Sequence, residues 1–293
     1  MTAISVIIPA WNRADQIIRA VQSVLAQTVN DLQVVVVDNA SIDATAEVVE
    51  QIGDPRIVVL RLDSNRGAAG GRNAGLAIAT GKYVGFLDSD DEFAPAWAEH
   101  LLKNVGDGHS LVTCGFAMMN QNGSTRYEHG AEDLGPAFSG LTGPFQAGTF
   151  LVERELLIEV GGYADALRYS ENTDLGLRLA ACCARTRRSM ASVDKPLLRW
   201  HHNPSHVYDV PERRAACAYM LAQHGTLLAR DPRMLSSYRS QLAVWDARAG
   251  DLASARRHFW SAWYAYPRRL RNLTRLAIAM VAPIARRTWR RTV

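Results

Sequence analysis

Short apolar runs alternate with amphipathic ones along the first ninety or so residues. Residues 4–9 form a β-branched run closed by Pro9, the pattern of a strand buried in a parallel sheet. In the next segment Ile17, Ile18, Val21, Val24 and Leu25 recur at helical spacing, with Asn12 or Asp15 placed to cap it. Residues 33–37 read as a second apolar strand ending at Asp38. A turn rich in Asn39, Ser41 and Asp43 follows, then a helix through Val48, Val49 and Ile52. Residues 57–62 predict a third strand, 68–79 a helix of small residues, and 83–87 a fourth strand. This alternation predicts an α/β fold: a doubly wound, mostly parallel sheet with helices on both faces.

Further on, 95–105 reads as a helix and 111–116 as a strand. Residues 118–145 are polar and glycine-rich, which predicts a hairpin or a mobile loop. Residues 146–152 predict a strand, 153–160 a helix stopped by Gly161 and Gly162, and 174–183 another helix. Beyond Pro211 strand signals are few. Leu252, Ala255, Phe259, Ala262, Trp263 and Tyr266 make an apolar face of helical period. With residues 242–250 before it, that segment resembles one tetratricopeptide-like helical hairpin, of which no second copy is visible. The expected organisation is a large α/β domain over 1–210, divided near residue 105, and a helical extension over 211–293.

Charge changes this picture at one end. The chain of 293 residues carries a net +4, yet residues 248–293 hold 11 arginines against the single acid Asp251, so residues 1–247 carry −6. A basic end on an acidic body predicts an anionic partner for the tail, a membrane surface or nucleic acid. The tail intersperses Leu273, Leu276, Ile278, Met280, Val281 and Ile284 with those arginines. Its uncharged run, 276–285, is about half of the ~20 residues a membrane span needs, and Pro283 interrupts it. This leaves an interfacial helix on anionic lipid, or a helix packed on the protein with a basic outer face. The four cysteines (Cys114, Cys182, Cys183, Cys217) have no metal-site spacing and read as reduced thiols. Residues 1–5 run straight into the first strand without a secretory pattern. The expected location is cytoplasmic, peripheral to the inner face of a membrane if the tail binds lipid.

Ligands of such sheets bind beyond the carboxyl ends of the strands. Residues 9–13, Asp38 with Asn39, 65–67 and Asp88-Ser89-Asp90 all fall at those ends. Alternate carboxylates at a strand end suit Mg²⁺ or Mn²⁺, which takes one or two protein carboxylates and completes its shell with phosphates. The competing reading is a solvated acidic turn before the next helix, with Asp91 as its cap. The glycines at 67, 70 and 71 have the wrong spacing for a dinucleotide-binding turn and follow the third strand. They let a helix approach the sheet, or a ligand, with Arg66 and Arg72 close to phosphate.

Four ordered blocks carry a more specific signal. Residues 5–13, 36–45, 65–67 with 71–75, and Phe86-Leu87-Asp88-Ser89-Asp90-Asp91 resemble the family 2 glycosyltransferases of GT-A fold. Gly161-Gly162-Tyr163 and residues 171–178 extend the resemblance to about residue 200, while the last third is not covered with similar specificity. The resemblance implies a nucleotide-sugar donor, most commonly UDP-linked, and transfer with inversion to a glycan, lipid-linked or small-molecule acceptor, with no nucleic acid involved. It implies that Pro9, Asn12 and Arg13 border the nucleoside, that Asp38 bonds the nucleobase, and that Arg66, Gly67 and Arg72 lie by the phosphates. Asp88 then contacts the ribose, with Ser89 beside it among the donor-binding residues and Asp90 on a divalent Mn²⁺ or Mg²⁺. Trp11 stands where tyrosine or phenylalanine is usual, and either stacks on the nucleobase or packs.

Inversion needs a base opposite the leaving group. The family presents Glu-Asp there with the aspartate as base, whereas this chain has Glu171-Asn172. Glu171 or Asp174 must serve, or else both only pair with arginines such as Arg178. Of the adjacent His201 and His202, His202 is the candidate metal ligand that family placement implies. Two rivals stay open. A sugar-phosphate nucleotidyltransferase would carry a glycine-rich loop after the first strand, where residues 9–13 stand instead. A non-catalytic sugar-nucleotide sensor of the same fold is compatible with Asn172.

Overall fold

A computed structural model describes residues 3–120, 122–201 and 209–289. Two compact units divide the chain, one of residues 1–166 and 171–203, the other of 167–170 and 204–293.

The first unit is built on a mixed sheet. Its strands are β1 (Ile4–Ala10), β2 (Leu32–Asp38), β3 (Ile57–Arg61), β4 (Tyr83–Phe86), β5 (Glu92–Phe93), β6 (His109–Met119), β7 (Thr125–His129), β10 (Phe150–Glu153) and β11 (Ser189–His201). A separate two-stranded ribbon pairs β8 (Glu132–Asp133) with β9 (Thr142–Gly143). The order across the main sheet is β3-β2-β1-β4-β10-β6-β11-β5, with β7 on β6. The first four strands are mutually parallel, as their apolar runs predict. Then β10 enters antiparallel between β4 and β6, so that β6 and β11 again point the same way as β1. The carboxyl ends of β1, β2, β4, β6 and β11 therefore share one edge.

Helices α1 (Ile17–Leu25), α2 (Thr45–Glu50), α3 (Gly67–Ile78), α4 (Trp97–Gly106), α5 (Arg154–Glu159) and α6 (Glu171–Thr186) flank the sheet. Neither Asn12 nor Asp15 caps α1: the cap position is Gln16, without a side-chain bond, because Asn12 is used elsewhere. The region 118–145 resolves into the β6–β7 hairpin and the small ribbon. On one face the core gathers Ile4, Val6, Ile8, Val34 and Val36 with Val21, Trp97 and Leu101, all essentially inaccessible. Trp97 stacks on Phe93 at 3.8 Å between centroids and donates its indole N–H to Gly148 O at 2.8 Å, so its polar tip is satisfied in the interior.

The second unit is helical among the described residues: α7 (Val210–Leu228), α8 (Pro232–Arg248), α9 (Leu252–Ala265), α10 (Arg271–Met280) and α11 (Ala282–Trp289). Gly250 at φ +88° ends α8, and the Asp251 side chain accepts from Ser254 N to start α9. The buried Asp246 carboxylate joins the helices, meeting Arg214 Nε and His258 Nδ1 at 2.6 Å each. The short segment Leu167–Ser170 belongs to this unit, with Arg213 over the Tyr169 ring at 4.0 Å. Val281, extended at φ −103°, breaks the tail into α10 and α11, and no described helix is long and apolar enough to cross a membrane. All four cysteines are free and buried.

Candidate active site

Three strands stop level with one another. Ala10 pairs with Asp38, and Asp38 with Arg61. On the other side of β1, Phe86 pairs with Ile7, which brings Asp88 two residues later to the same edge. The loops beyond these ends are joined by side chains. Asn12, at φ +53°, donates its N–H to Ser41 Oγ (2.9 Å) and accepts at Oδ1 from Ile42 N (2.9 Å). Arg13 N donates to Thr45 Oγ1 (2.8 Å) and Ala14 N to Asp43 Oδ2 (3.2 Å). Asp38 is buried and accepts from Ser41 N at 3.0 Å. Asn39 ties this loop to the next, donating to Gly67 O and accepting from Arg66 N, each at 2.9 Å. Loop amides that a strand edge would leave unpaired are thus satisfied, and the edge is fixed before any ligand arrives.

On this edge the nucleoside-side residues differ in exposure. Pro9 is buried, whereas Trp11 is 52% exposed and does not serve as core. The Arg66 side chain is exposed at the start of α3. Two α3 glycines account for how close that helix lies. A Cβ on Gly71 would stand 3.1 Å from Pro9 Cβ, and one on Gly75 would stand 2.4 Å from Ile7 Cγ2. The small-residue pattern is therefore a packing requirement at 71 and 75.

Arg72 is carried down by that approach, and its side chain is only 2% exposed. One terminal nitrogen donates to Asp88 Oδ1 at 2.6 Å and the other to Glu171 Oε1 at 3.2 Å. Its guanidinium lies 5.0 Å from the centre of the Tyr163 ring, and its Nε is buried without a partner. Burial disfavours the charge, but Asp88 and Glu171 outweigh it and raise the arginine pKa above its usual value. Burial likewise pushes up the Tyr163 phenol, which rests edge-on against Phe86 and donates to Asn172 Oδ1 at 2.9 Å. Asn73 fixes the Tyr163 backbone from both sides, at Nδ2 to Tyr163 O and Oδ1 from Tyr163 N, each 2.8 Å.

The two base candidates part company. Glu171 is the first residue of α6, one turn earlier than the apolar pattern predicts, and its side chain is 15% exposed. Asp174 is completely buried and takes Arg178 Nε at 3.0 Å, while Arg178 also donates to Val160 O and Gly162 O at 2.7 Å each.

The three acids of the β4 end also differ. Asp88 and Asp90 are partly exposed and Ser89 is buried. Asp91 is not a helix cap: it is 2% exposed and accepts from His201 N at 2.8 Å, pinning the end of β11 to this loop. Burial, and then Asp88, push its pKa well above the usual carboxylate range. The His201 ring is engaged by Glu92 at 2.7 Å, and His202 lies outside the described residues. Among the described residues no three His, Cys, Asp or Glu side chains form a metal cluster. Asp90, partly exposed at this strand end, is the kind of ligand a hard divalent ion takes when phosphate and water supply most of its shell.

Residues 5–169 match the family model described as Glycosyl transferase family 2. Succinoglycan biosynthesis protein ExoO of Rhizobium meliloti is 47% identical over 92 residues, 31% of this chain and 26% of that protein. UDP-Glc:alpha-D-GlcNAc-diphosphoundecaprenol beta-1,3-glucosyltransferase WfaP of Escherichia coli is 42% identical over 91 residues, 31% of this chain and 36% of that protein. The matched stretch thus spans about a third of these curated relatives or less. The crystal structure of S. aureus TarS residues 1–349 in complex with UDP-GlcNAc superposes with a TM-score of 0.66 at 14% identity, covering 99% of this chain and 93% of that one. The likeness is one of fold, and it meets the GT-A expectation, helical C-terminal part included.

Proposed function

Since the chain belongs to glycosyl transferase family 2, we propose that it moves a sugar from a UDP-linked donor to a hydroxyl-bearing acceptor, inverting the anomeric carbon. The observation that carries this reading is the Arg72 bridge, which holds a carboxylate of the β4 end and the partly buried Glu171 carboxylate of α6 on one guanidinium. A donor-side group and a proton acceptor are thereby kept within one side chain's reach.

In this reading Pro9, Trp11, Asn12 and Arg13 border the nucleoside and Asp38 accepts from the base. Asp88 and Ser89 lie at the ribose, and Arg66 and the Gly67 backbone, at the start of α3, lie by the diphosphate, where helix amides and positive charge favour an anion. Arg72 holds Asp88 from behind and makes no phosphate contact of its own in this reading. Asp90 is the residue assigned to Mn²⁺ or Mg²⁺. When bound, that ion supplies positive charge to the departing nucleoside diphosphate. The acceptor oxygen attacks the anomeric carbon, and the bond to the diphosphate breaks with its electron pair leaving on phosphate oxygen. The acceptor's proton passes to Glu171, because Asp174 is sealed beneath Arg178.

The name of the WfaP relative specifies a UDP-glucose donor and a lipid-diphosphate-linked acceptor. That supports a UDP-sugar and a lipid-linked glycan for this chain, ahead of a small-molecule acceptor. The same acceptor class supports a peripheral position on an anionic membrane surface. Met280, Val281 and Ile284 are 62%, 46% and 51% exposed beside the tail arginines, while Ala279 and Ala285 pack inward.

Incubation with a panel of UDP-sugars and Mn²⁺ tests the reading through the product released. Free UDP is the expected product. Pyrophosphate would indicate a nucleotidyltransferase, and donor binding without turnover a sensor; either contradicts the proposal.

A further inference from the structure

Arginine is seldom fully buried, and its interior position here is forced by neighbours rather than by the apolar pattern. Helix α3 presses against β1 and β2 through Gly71 and Gly75, and Arg72, between them in sequence, has no route to solvent. It spends both terminal nitrogens on carboxylates brought from the end of β4 and the start of α6. The Tyr163 ring lies 5.0 Å from the guanidinium. Among the described residues only Nε is left without a partner, and it is buried.

The contacts on Glu171 are one-sided. Arg72 donates to Oε1 at 3.2 Å, and Asn172 Nδ2 approaches the same oxygen at 3.4 Å. Asn172 is itself held by the Tyr163 hydroxyl at 2.9 Å, and Tyr163 by Asn73. Among the described residues Oε1 thus carries both donors and Oε2 neither, which leaves the lone pairs of Oε2 to take a proton.

We propose that Arg72 is a positioning residue, which with Asn172 pins Oε1 of Glu171 and ties it to Asp88, so that Oε2 is the proton-accepting atom at a fixed distance from the donor. This rests on the reading of Glu171 as the base. The planar fork matters, because two nitrogens of one rigid group address two carboxylates, and a lysine ammonium on a flexible stem does not reproduce that geometry. Asn172 gains a role as well. Where the family places an acid, this chain places an amide that donates to Glu171 and accepts from Tyr163, so the proton-accepting duty moves one residue back along the chain.

A double-mutant cycle on the full chain tests the proposal, with single-turnover rate, donor KM and UDP affinity by calorimetry measured for each variant. Arg72→Lys is expected to lower the rate by about 100-fold, the scale set by a misplacement of about 1 Å at a reacting group. Donor KM and UDP affinity should stay within about threefold. Combined with Glu171→Gln, it should be no slower than Glu171→Gln alone, since it acts through that residue. Asn172→Ala provides a second cycle with Glu171→Gln, with the same non-additivity expected, should the Arg72 variant fail to fold. Multiplying effects in the cycle, a loss confined to donor KM, or a wild-type rate in Arg72→Lys would overturn the positioning role. Wild-type turnover in Glu171→Gln alone would instead overturn the assignment of the base, so the two failures are told apart.

Discussion

Glu171 and Asp174 sit three residues apart on α6, yet one carboxylate is held at the site by Arg72 and the other is shut inside the protein by Arg178. Helical spacing puts both on one face and does not choose between them. Burial does. Asp174 and Arg178 join α6 to the backbone of the Val160–Gly162 turn, so removing the carboxylate leaves an uncompensated cation. Asp174→Asn is expected to cost about 3 kcal/mol or more of stability, read as a fall in the denaturation midpoint. A stable but inactive Asp174→Asn would restore it as a catalytic candidate.

Trp11 offers the reverse combination, an exposed aromatic at the end of β1. Trp11→Ala should leave the denaturation midpoint almost unchanged and weaken UDP binding by about tenfold, a stacking contribution of roughly 1–3 kcal/mol. Calorimetric titration with UDP is the check. An unchanged affinity would place the nucleobase elsewhere.

The tightness of α3 against the sheet is testable at Gly75. A methyl there meets Ile7 Cγ2 at 2.4 Å and Val37 Cγ2 at 3.1 Å, so Gly75→Ala should destabilise by about 1–3 kcal/mol through overpacking. Urea denaturation measures it.

Acid sensitivity should arise partly from Glu159. Arg188, then the Cys182 thiol, then Arg185 hold its carboxyl at about 2, against 4.5 for an ordinary glutamate. A depressed folded-state pKa stabilises the protein fully above the unfolded value and loses that contribution as pH falls from 4.5 toward 2. The melting-temperature difference between wild type and Glu159→Gln should therefore be positive at neutral pH and vanish across that acid window.

On the tail, Val281→Asp and Ile284→Asp each place a charge on the exposed apolar face without touching the packed Ala279 and Ala285. Co-sedimentation with phosphatidylglycerol vesicles is expected for the wild type and reduced in both variants. Equal sedimentation would remove the membrane surface as a partner.

The parallel half of the sheet was legible because its strands are continuous apolar runs, buried on both faces, with acids and turn residues directly after them. β11 was not. It is only partly buried along its length and contains Asp194, Lys195 and Pro196, residue types depleted in strands. The sheet accommodates them through register shifts at Val193/Pro196 and Pro196/Leu198, where a proline can sit without breaking the ladder. The acids at the β4 end were visible, but their division of labour depends on tertiary neighbours: Asp91 is consumed by His201 N, and Arg72 by Asp88 and Glu171. The stitching of the first two loops needed positive φ at Asn12, a residue type that tolerates it, and at Ala40, whose type does not announce it.

The central claim is that Glu171 takes the acceptor's proton at a site that binds its donor independently. The most direct measurement compares Glu171→Gln with wild type in UDP-release rate and in UDP affinity. A loss of turnover of about 10²–10⁴-fold is expected, with UDP affinity changed by no more than about twofold. Turnover within about tenfold of wild type, or a matching collapse of UDP binding, would contradict it.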